Sequence, residues 1–188
     1  MNTTRFTRRA FALSGLAGLG LTAACGNGIG SNGAAVIDAR VGATLDEMYR
    51  EFPNTVTLSE KATGMLIMPL VTKVGFGIGG GFGRGALQVD GVTVDYYSTT
   101  KLSGGLQIGA QQYAHVLFFM TEDALRDFRR SNGWTAGAGL EYVISDKGDS
   151  ISTDTSTLLS PVLAAIFAQA GFRVGATLEG SKYNRIIP

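Results

Sequence analysis

Residues 75–85 read Gly75-Phe76-Gly77-Ile78-Gly79-Gly80-Gly81-Phe82-Gly83-Arg84-Gly85, and we call this stretch the glycine ribbon. Glycine occupies every odd position, while four of the five even positions carry large side chains. A repeat of two residues is typical of an extended strand, because successive side chains point to opposite faces. Glycine costs conformational entropy in a strand and adds no packing area. The pattern therefore predicts that something lies flat against the glycine face or that the sheet bends sharply there.

Composition narrows the function classes. The chain has 188 residues, of which 45% are hydrophobic and 16% charged, which suits one domain with a core and excludes a wholly disordered chain. One cysteine and one histidine exclude an internal disulfide, a cysteine-based metal cluster and a histidine-rich metal site. Without Arg5, Arg8 and Arg9 the net charge of +1 becomes −2, since 13 basic residues then face 15 acidic ones. The overall charge therefore does not favour nucleic acid as a partner.

Residues 1–24 have the layout of an export signal, with a basic start, an apolar run and a small-residue end. Arg8-Arg9 is typical of the twin-arginine signal, and an ordinary secretory signal is the alternative. Leu21 to Cys25 resembles a bacterial lipobox, in which the cysteine is acylated, and cleavage that leaves a free thiol is the alternative. We expect an exported, periplasmic lipoprotein anchored to the inner or outer membrane through Cys25. Residues 25–35 are then a flexible tether.

Two or three helices are expected in the remaining domain, residues 36–188. Apolar residues at spacings of three and four predict the first helix over Val36–Phe52. A short second helix is expected over Leu58–Thr63. Thr121 is a good helix N-cap, and it precedes a third helix that ends near Ser131.

Strand patterns account for most of the rest. Asp90-Gly91 lies between two apolar segments and predicts a hairpin, and Pro69 is expected at a sheet edge or bulge. Leu102 falls on the apolar face of a half-buried strand, His115–Met120 is apolar enough for a central strand, and Pro161–Ala168 fits either a strand or a helix. We expect an α+β domain of about seven or eight antiparallel strands that form a strongly curved, barrel-like sheet with two or three flanking helices.

Catalytic motifs are not recognisable. Gly75–Gly80 satisfies the GxGxxG pattern of dinucleotide sites, but here the pattern continues as a strand where such a site needs a helix. The apolar surroundings of His115 predict a hydrogen-bonded, half-buried histidine rather than a catalytic base. Asp146, Asp149 and Asp154 fit a solvated acidic loop and match no calcium loop. We expect no enzyme activity, no catalytic residue, no cofactor and no metal site.

Candidate binding residues surround the ribbon. Four basic residues bracket it and could ring an anionic head group, although a scattered solvated set fits their spacing equally well. The three large apolar side chains of the ribbon are candidates for contact with acyl chains or a partner, with core packing as the alternative. The candidate lipid-binding residues are Lys61, Lys73, Phe76, Ile78, Phe82, Arg84 and Lys101.

An ordered set of motifs extends between roughly Ala34 and Ile187. The motifs are Lys61–Pro69, Lys73–Gly80, Gly85–Leu87, Tyr96-Tyr97, Gly105–Gln111, Phe119–Thr121, Asp154-Thr155, Ser160-Pro161 and Leu178–Ser181. In order and spacing this set resembles the SYLF lipid-binding family, also called the Ysc84-like actin-binding family. The resemblance implies binding of phospholipids without catalysis; for eukaryotic members it implies phosphoinositide binding and actin regulation.

Together with the leader, this resemblance indicates a non-enzymatic phospholipid-binding domain tethered at the bacterial cell envelope through Cys25. Its expected partner is a phospholipid or a membrane surface. The alternative is an envelope protein–protein interaction module with no lipid ligand of its own, whose partner is another envelope protein. Nucleic acid is not expected as a partner because of the overall charge, and actin is not expected because the leader is of bacterial type.

Overall fold

The structure is a computed structural model that describes residues 31–137, 140–144, 160–171 and 178–188. Within these residues the chain forms three helices and six strands. In chain order they are α1 (Gly33–Glu51), α2 (Asn54–Lys61), β1 (Gly64–Val89), β2 (Val92–Phe119), α3 (Glu122–Arg130), β3 (Trp134–Thr135), β4 (Glu141–Ile144), β5 (Val162–Gly171) and β6 (Lys182–Ile186).

Two very long strands dominate the sheet. β1 has 26 residues and β2 has 28, and they pair antiparallel along almost their whole length. Asp90 and Gly91 join them with φ values of 51° and 75°, the left-handed geometry that a two-residue hairpin turn needs. The predicted hairpin is therefore confirmed, but the separate strands expected on either side of the ribbon run together into one.

The other edge of β2 carries two shorter strands. β6 pairs with residues 96–100 and β5 with residues 111–119, both antiparallel. β3 adds to β6, and β4 adds to β5. The β4–β5 pair is parallel, which differs from the antiparallel strands predicted from the sequence.

β1 folds back on itself at the glycine ribbon. A Cβ atom on Gly83 would lie 2.7 Å from the carbonyl oxygen of Leu70 and 2.8 Å from Cγ2 of Val71, and one on Gly85 would overlap the carbonyl group of Ile67. Glycine is needed because no other residue lets two backbone segments come this close. The close approach predicted from the alternating glycines is therefore present, and the strand's own first half occupies this part of the glycine face.

Bulges help the long hairpin to curve. The β1–β2 register shifts between Met68 and Val71, between Phe76 and Ile78, and near Leu87, and such shifts bend and twist a strand. Pro69 lies within the first shift, as expected for a proline in an edge strand. The predicted α+β class, with a strongly curved sheet and three helices, is confirmed.

Buried side chains form two clusters on the two faces of the curled sheet. One fills the inside of the curl, and the other lies beneath α1 and α2. The first includes Leu66, Met68, Leu87, Tyr97, Tyr113, Leu117, Phe128 and Tyr183; the second includes Ile37, Val41, Met48, Leu58, Ile67, Val116, Phe118 and Leu163.

The three predicted helices are present, but the bounds of two differ from the prediction. α1 begins at Gly33, within the expected tether, and α2 covers Asn54–Lys61 instead of Leu58–Thr63. The stripe that predicted the first helix is buried at Ile37, Val41 and Met48. Thr121 Oγ1 accepts a hydrogen bond from the Ala124 backbone N–H at 3.2 Å, which caps α3 as predicted. α3 is held on the sheet by the buried side chains of Leu125 and Phe128.

The two C-terminal strands were predicted only in part. The segment beginning at Pro161, for which the sequence allowed either a helix or a strand, forms strand β5, whereas β6 was not predicted.

Several predictions concern residues that the structure does not describe. These are the export signal, Cys25, most of the tether and the acidic loop with Asp146, Asp149 and Asp154.

Candidate functional site

A groove of about 850 Å³ lies between the first turns of α1 and the folded-back part of the sheet. Both halves of β1 line it, together with residues 100–102 of β2. Asp38 fixes α1 over the sheet, because its carboxylate accepts hydrogen bonds from Thr93 Oγ1 at 3.0 Å and from the Tyr96 hydroxyl at 2.7 Å. The volume falls in the range of roughly 300–1,000 Å³ that is typical of small-molecule sites.

Exposed apolar side chains are concentrated in this groove. Nine large hydrophobic residues are exposed in the described part of the chain, and five of them line the groove. Leu102 is 89% exposed and Phe82 is 50% exposed. Contiguous exposed apolar surface usually marks a site of interaction with a ligand, a membrane or another protein. The five residues are Val36, Leu70, Val74, Phe82 and Leu102.

Basic residues border the same apolar surface. Arg40 of α1, Arg84 of the ribbon and Lys101 of β2 line the groove, and none of its described lining residues is acidic. The Arg84 guanidinium carbon lies 5.7 Å from the centre of the Phe82 ring, within reach of a cation–π interaction. Apolar and cationic groups therefore lie side by side in one depression.

Lys101 and Lys73 flank one glycine of the ribbon. Gly81 pairs with Lys101 in the β1–β2 register, and a Cβ atom on Gly81 would lie 3.0 Å from Cγ of Lys73. Burial, followed by the charge of Lys73, lowers the pKa of Lys101 to about 8, although Glu179 acts in the opposite direction. Burial also lowers the pKa of Lys73, whose Nζ lies 5.4 Å from the centre of the Tyr113 ring.

The structure brings together part of the predicted set. Phe82, Arg84 and Lys101 line the groove, and Lys73 packs beside it. Lys61 is exposed at the end of α2 and is not among the lining residues. The remaining two candidates, Phe76 and Ile78, lie in β1, and their side chains are outside the described part of the structure.

Sequence reasoning missed other lining residues. Arg40 lies on the polar side of the amphipathic first helix, and no local signal shows which part of the sheet that side approaches. Leu102 was expected on a half-buried apolar face, but it is almost fully exposed. The exposure of Leu102 could have been predicted from the sequence, because a large apolar residue beside a glycine-rich stretch has few side chains to pack against.

His115 is a core residue and is not part of the groove. Its side chain is fully buried, and its Nε2 atom lies 2.8 Å from the Tyr183 hydroxyl oxygen. Burial, with smaller contributions from Lys101 and Lys73, lowers its pKa to about 3. The predicted hydrogen bond is present, but the ring is fully buried and not half-buried as expected. The lowered pKa makes the ring neutral at physiological pH.

The side chains that line the groove are suited to binding a ligand. No helix in the described part of the chain is long and apolar enough to cross a membrane. Among the same residues, no group of three or more His, Cys, Asp or Glu side chains is arranged to hold a metal ion. What the groove presents is apolar surface with positive charge at its border, which suits an amphipathic anion.

Comparison with known proteins agrees with the motifs. The family model Ysc84, described as Las17-binding protein actin regulator, matches residues 100–185. This span contains most of β2, α3, β3 to β5 and most of β6, whereas α1 and β1 precede it. A comparison with curated proteins gave no match. The resemblance noted in the sequence is confirmed by this match, and residues 100–185 are similar to the Ysc84 (SYLF) family.

Proposed function

We propose that this domain binds anionic phospholipid in the groove and catalyses no reaction. The observation that carries the proposal is the combination, in one depression, of five exposed hydrophobic residues with three cations, with no acid among the lining residues that the structure describes. A phospholipid has the complementary chemistry, because its apolar acyl chains lie next to a negatively charged phosphate. In this assignment Phe82 and Leu102 contact the acyl chains, while Arg40, Arg84 and Lys101 contact the phosphate.

The energies of these contacts favour a ligand that has both an apolar chain and an anionic group. Burying each CH₂ group of an acyl chain contributes about 0.8 kcal/mol, so a few methylenes against Phe82 and Leu102 outweigh a single exposed ion pair. Arginine suits phosphate, because its planar guanidinium can donate two hydrogen bonds at once. A phosphate near Lys101 would also stabilise that amino group in its charged form and raise its pKa.

The start of the described chain supports a membrane setting. Asn32 and Gly33 line the groove, and only six residues lie between Cys25 and Asn32. The seven steps from one Cα atom to the next span at most about 25 Å. An acyl anchor on Cys25, as we propose for an exported envelope lipoprotein, would therefore hold the groove close to the membrane surface on the periplasmic side.

A protein-binding role without a lipid ligand is the second candidate. The description of the matching family names protein partners, and exposed apolar surface is also typical of protein interfaces. Actin does not enter our proposal, because the leader predicts export from a bacterial cell. The two candidates differ in one respect that can be measured, since only the first requires binding to protein-free vesicles.

Vesicle flotation tests the proposal. A chain lacking residues 1–25 keeps every described residue, and it should float with phosphatidylcholine–phosphatidylglycerol vesicles more strongly than with phosphatidylcholine alone. Each basic residue near an anionic surface contributes about 1 kcal/mol, so removing Arg40 and Arg84 should weaken binding about thirtyfold. Arg126→Ala with Arg130→Ala removes the same charge from α3 and is the matched control. Failure of the parent chain to bind either vesicle would favour the protein-binding alternative.

A further inference from the structure

A second cleft, of about 480 Å³, lies between α3 and the C-terminal strand. Its floor contains Thr63 and the buried side chain of Leu125. Four arginines and one acidic residue form the remainder of its lining. They are Arg126, Arg129, Arg130, Arg185 and Glu122, and we call this site the arginine cleft.

Two of the arginines already hold a carboxylate. Arg129 Nε donates to Asp95 Oδ2 at 3.0 Å, and Arg185 Nε lies 3.4 Å from Asp95 Oδ1. Arg185 Nη2 also donates to the Arg129 carbonyl oxygen at 2.9 Å. This network fixes both guanidinium groups in position, and it shows that the surface accommodates an acidic side chain in a bridging arrangement.

The other two arginines extend the charge along the helix. Arg126 and Arg130 are four residues apart, so they lie on the same side of α3, where like charges repel. Arg126 pairs with the exposed Asp123, and no ion pair of Arg130 occurs within the described ranges. Both side chains are exposed. The fold therefore displays two guanidinium groups that make little contribution to holding it together.

The cleft and the groove open on opposite faces of the sheet. Arg185, which lines the cleft, pairs with Tyr97, and Tyr97 pairs with Gly85. Directly paired strand residues point to the same face, whereas successive residues point to opposite faces. Arg185 therefore points away from the face that carries Arg84 in the groove. A membrane that lies against the groove would be on the other side of the sheet from the arginine cleft.

We infer that the arginine cleft docks an acidic segment of a partner protein, one that presents several carboxylates along an extended chain. A single ion pair at such exposed side chains contributes little, so a ligand must engage several arginines at once. An acidic segment can do this if its carboxylates pair with Arg126 and Arg130 along α3. Its other carboxylates then lie beside Arg129 and Arg185, which Asp95 holds in position. Positive charge on the cleft and negative charge on the segment also speed their encounter.

Fluorescence anisotropy of a labelled oligoglutamate peptide tests this inference. The full chain, kept in a non-ionic detergent, should bind the peptide at low salt and bind it more weakly at physiological salt. Replacing both Arg126 and Arg130 with alanine should weaken binding about tenfold. Arg40→Ala with Arg84→Ala makes the same charge change in the groove and should leave peptide binding unchanged. If the double variant fails to fold, Arg126→Gln and Arg130→Gln singly should each weaken binding about threefold.

Several results would overturn the inference. One is that the parent chain does not bind the peptide at low salt, and another is an equal loss in the groove control, which would show attraction to net charge alone. A third is that Arg126→Ala with Arg130→Ala weakens flotation with anionic vesicles as much as it weakens peptide binding, since the cleft would then face a membrane. Tighter binding of single-stranded DNA than of oligoglutamate would assign the cleft to nucleic acid instead.

Discussion

Replacing Gly85 with alanine tests whether the folded-back strand depends on a bare backbone. The added Cβ would overlap the carbonyl group of Ile67 and come within 2.6 Å of Met68 Sδ. Met68 is fully buried, and the Ile67 carbonyl is part of the main chain, so neither neighbour can move aside easily. The two halves of β1 would therefore have to separate, which would loosen the end of the sheet that forms the groove.

The size of the effect follows from packing energies. Overpacking a close-packed core costs about 1–3 kcal/mol, and a clash with backbone belongs at the upper end. Alanine recovers about 0.4–1 kcal/mol by restricting the unfolded chain. The net loss for Gly85→Ala is therefore about 2–2.6 kcal/mol. For a chain of this length, that corresponds to a fall in Tm of about 4–10 °C.

Urea denaturation and thermal unfolding measure this loss, and Gly80 offers a matched control in the same ribbon. A Cβ atom on Gly80 would meet only the carbonyl oxygen of Lys101, at 4.0 Å. Gly80→Ala should therefore change the free energy of unfolding by less than about 1 kcal/mol. Equal stability of the Gly85→Ala and Gly80→Ala variants would refute the close approach of the two halves of β1.

Three further predictions concern titration and anchoring. The pKa of His115 is about 3 in the fold and about 6.5 when unfolded, so its stabilising contribution is present above pH 6.5 and is lost as pH falls towards 3. Urea midpoints should thus fall more steeply with acid in the parent than in His115→Gln; parallel curves would contradict this. The pKa of Lys101, about 8, predicts that vesicle binding weakens from pH 7 to 9 in the parent but hardly in Lys101→Arg, and the same decline in both would exclude Lys101. Finally, Cys25→Ser should release the protein from membranes and abolish labelling by a fatty-acid probe, whereas persistent labelling would rule out acylation of Cys25.

Local signals in the sequence predicted local structure well. The Asp90-Gly91 turn, the Thr121 cap and the apolar stripe of α1 each depend on residues within one turn or one helix, so their patterns are sufficient. β6 was missed because Lys182–Ile186 has no regular apolar alternation. It is a strand because one edge of β2 is available to pair with it. The parallel β4–β5 pair likewise depends on contacts between distant segments.

The residues of the groove were predictable only in part, because some of them come together through contacts between distant segments. The ribbon itself identified Phe82 and Arg84, and spacing along the chain suggested Lys101. The approach of Arg40 depends on how α1 packs across the sheet, which no pattern within the helix specifies. The sequence also left open what lies against the glycine face, and the answer is a segment of the same strand about fifteen residues away.

The most direct test of lipid binding in the groove compares two pairs of exposed hydrophobic residues. Phe82→Ser with Leu102→Ser removes apolar surface from the groove, whereas Val92→Ser with Val94→Ser removes it from beside the hairpin turn, where these residues are 64% and 40% exposed. Burial of a Leu or Phe side chain contributes about 1.5–3 kcal/mol. Binding to phosphatidylcholine–phosphatidylglycerol vesicles should therefore fall on the order of a hundredfold in the first variant and remain unchanged in the second. Equal binding by both variants would contradict the assignment of the groove to lipid.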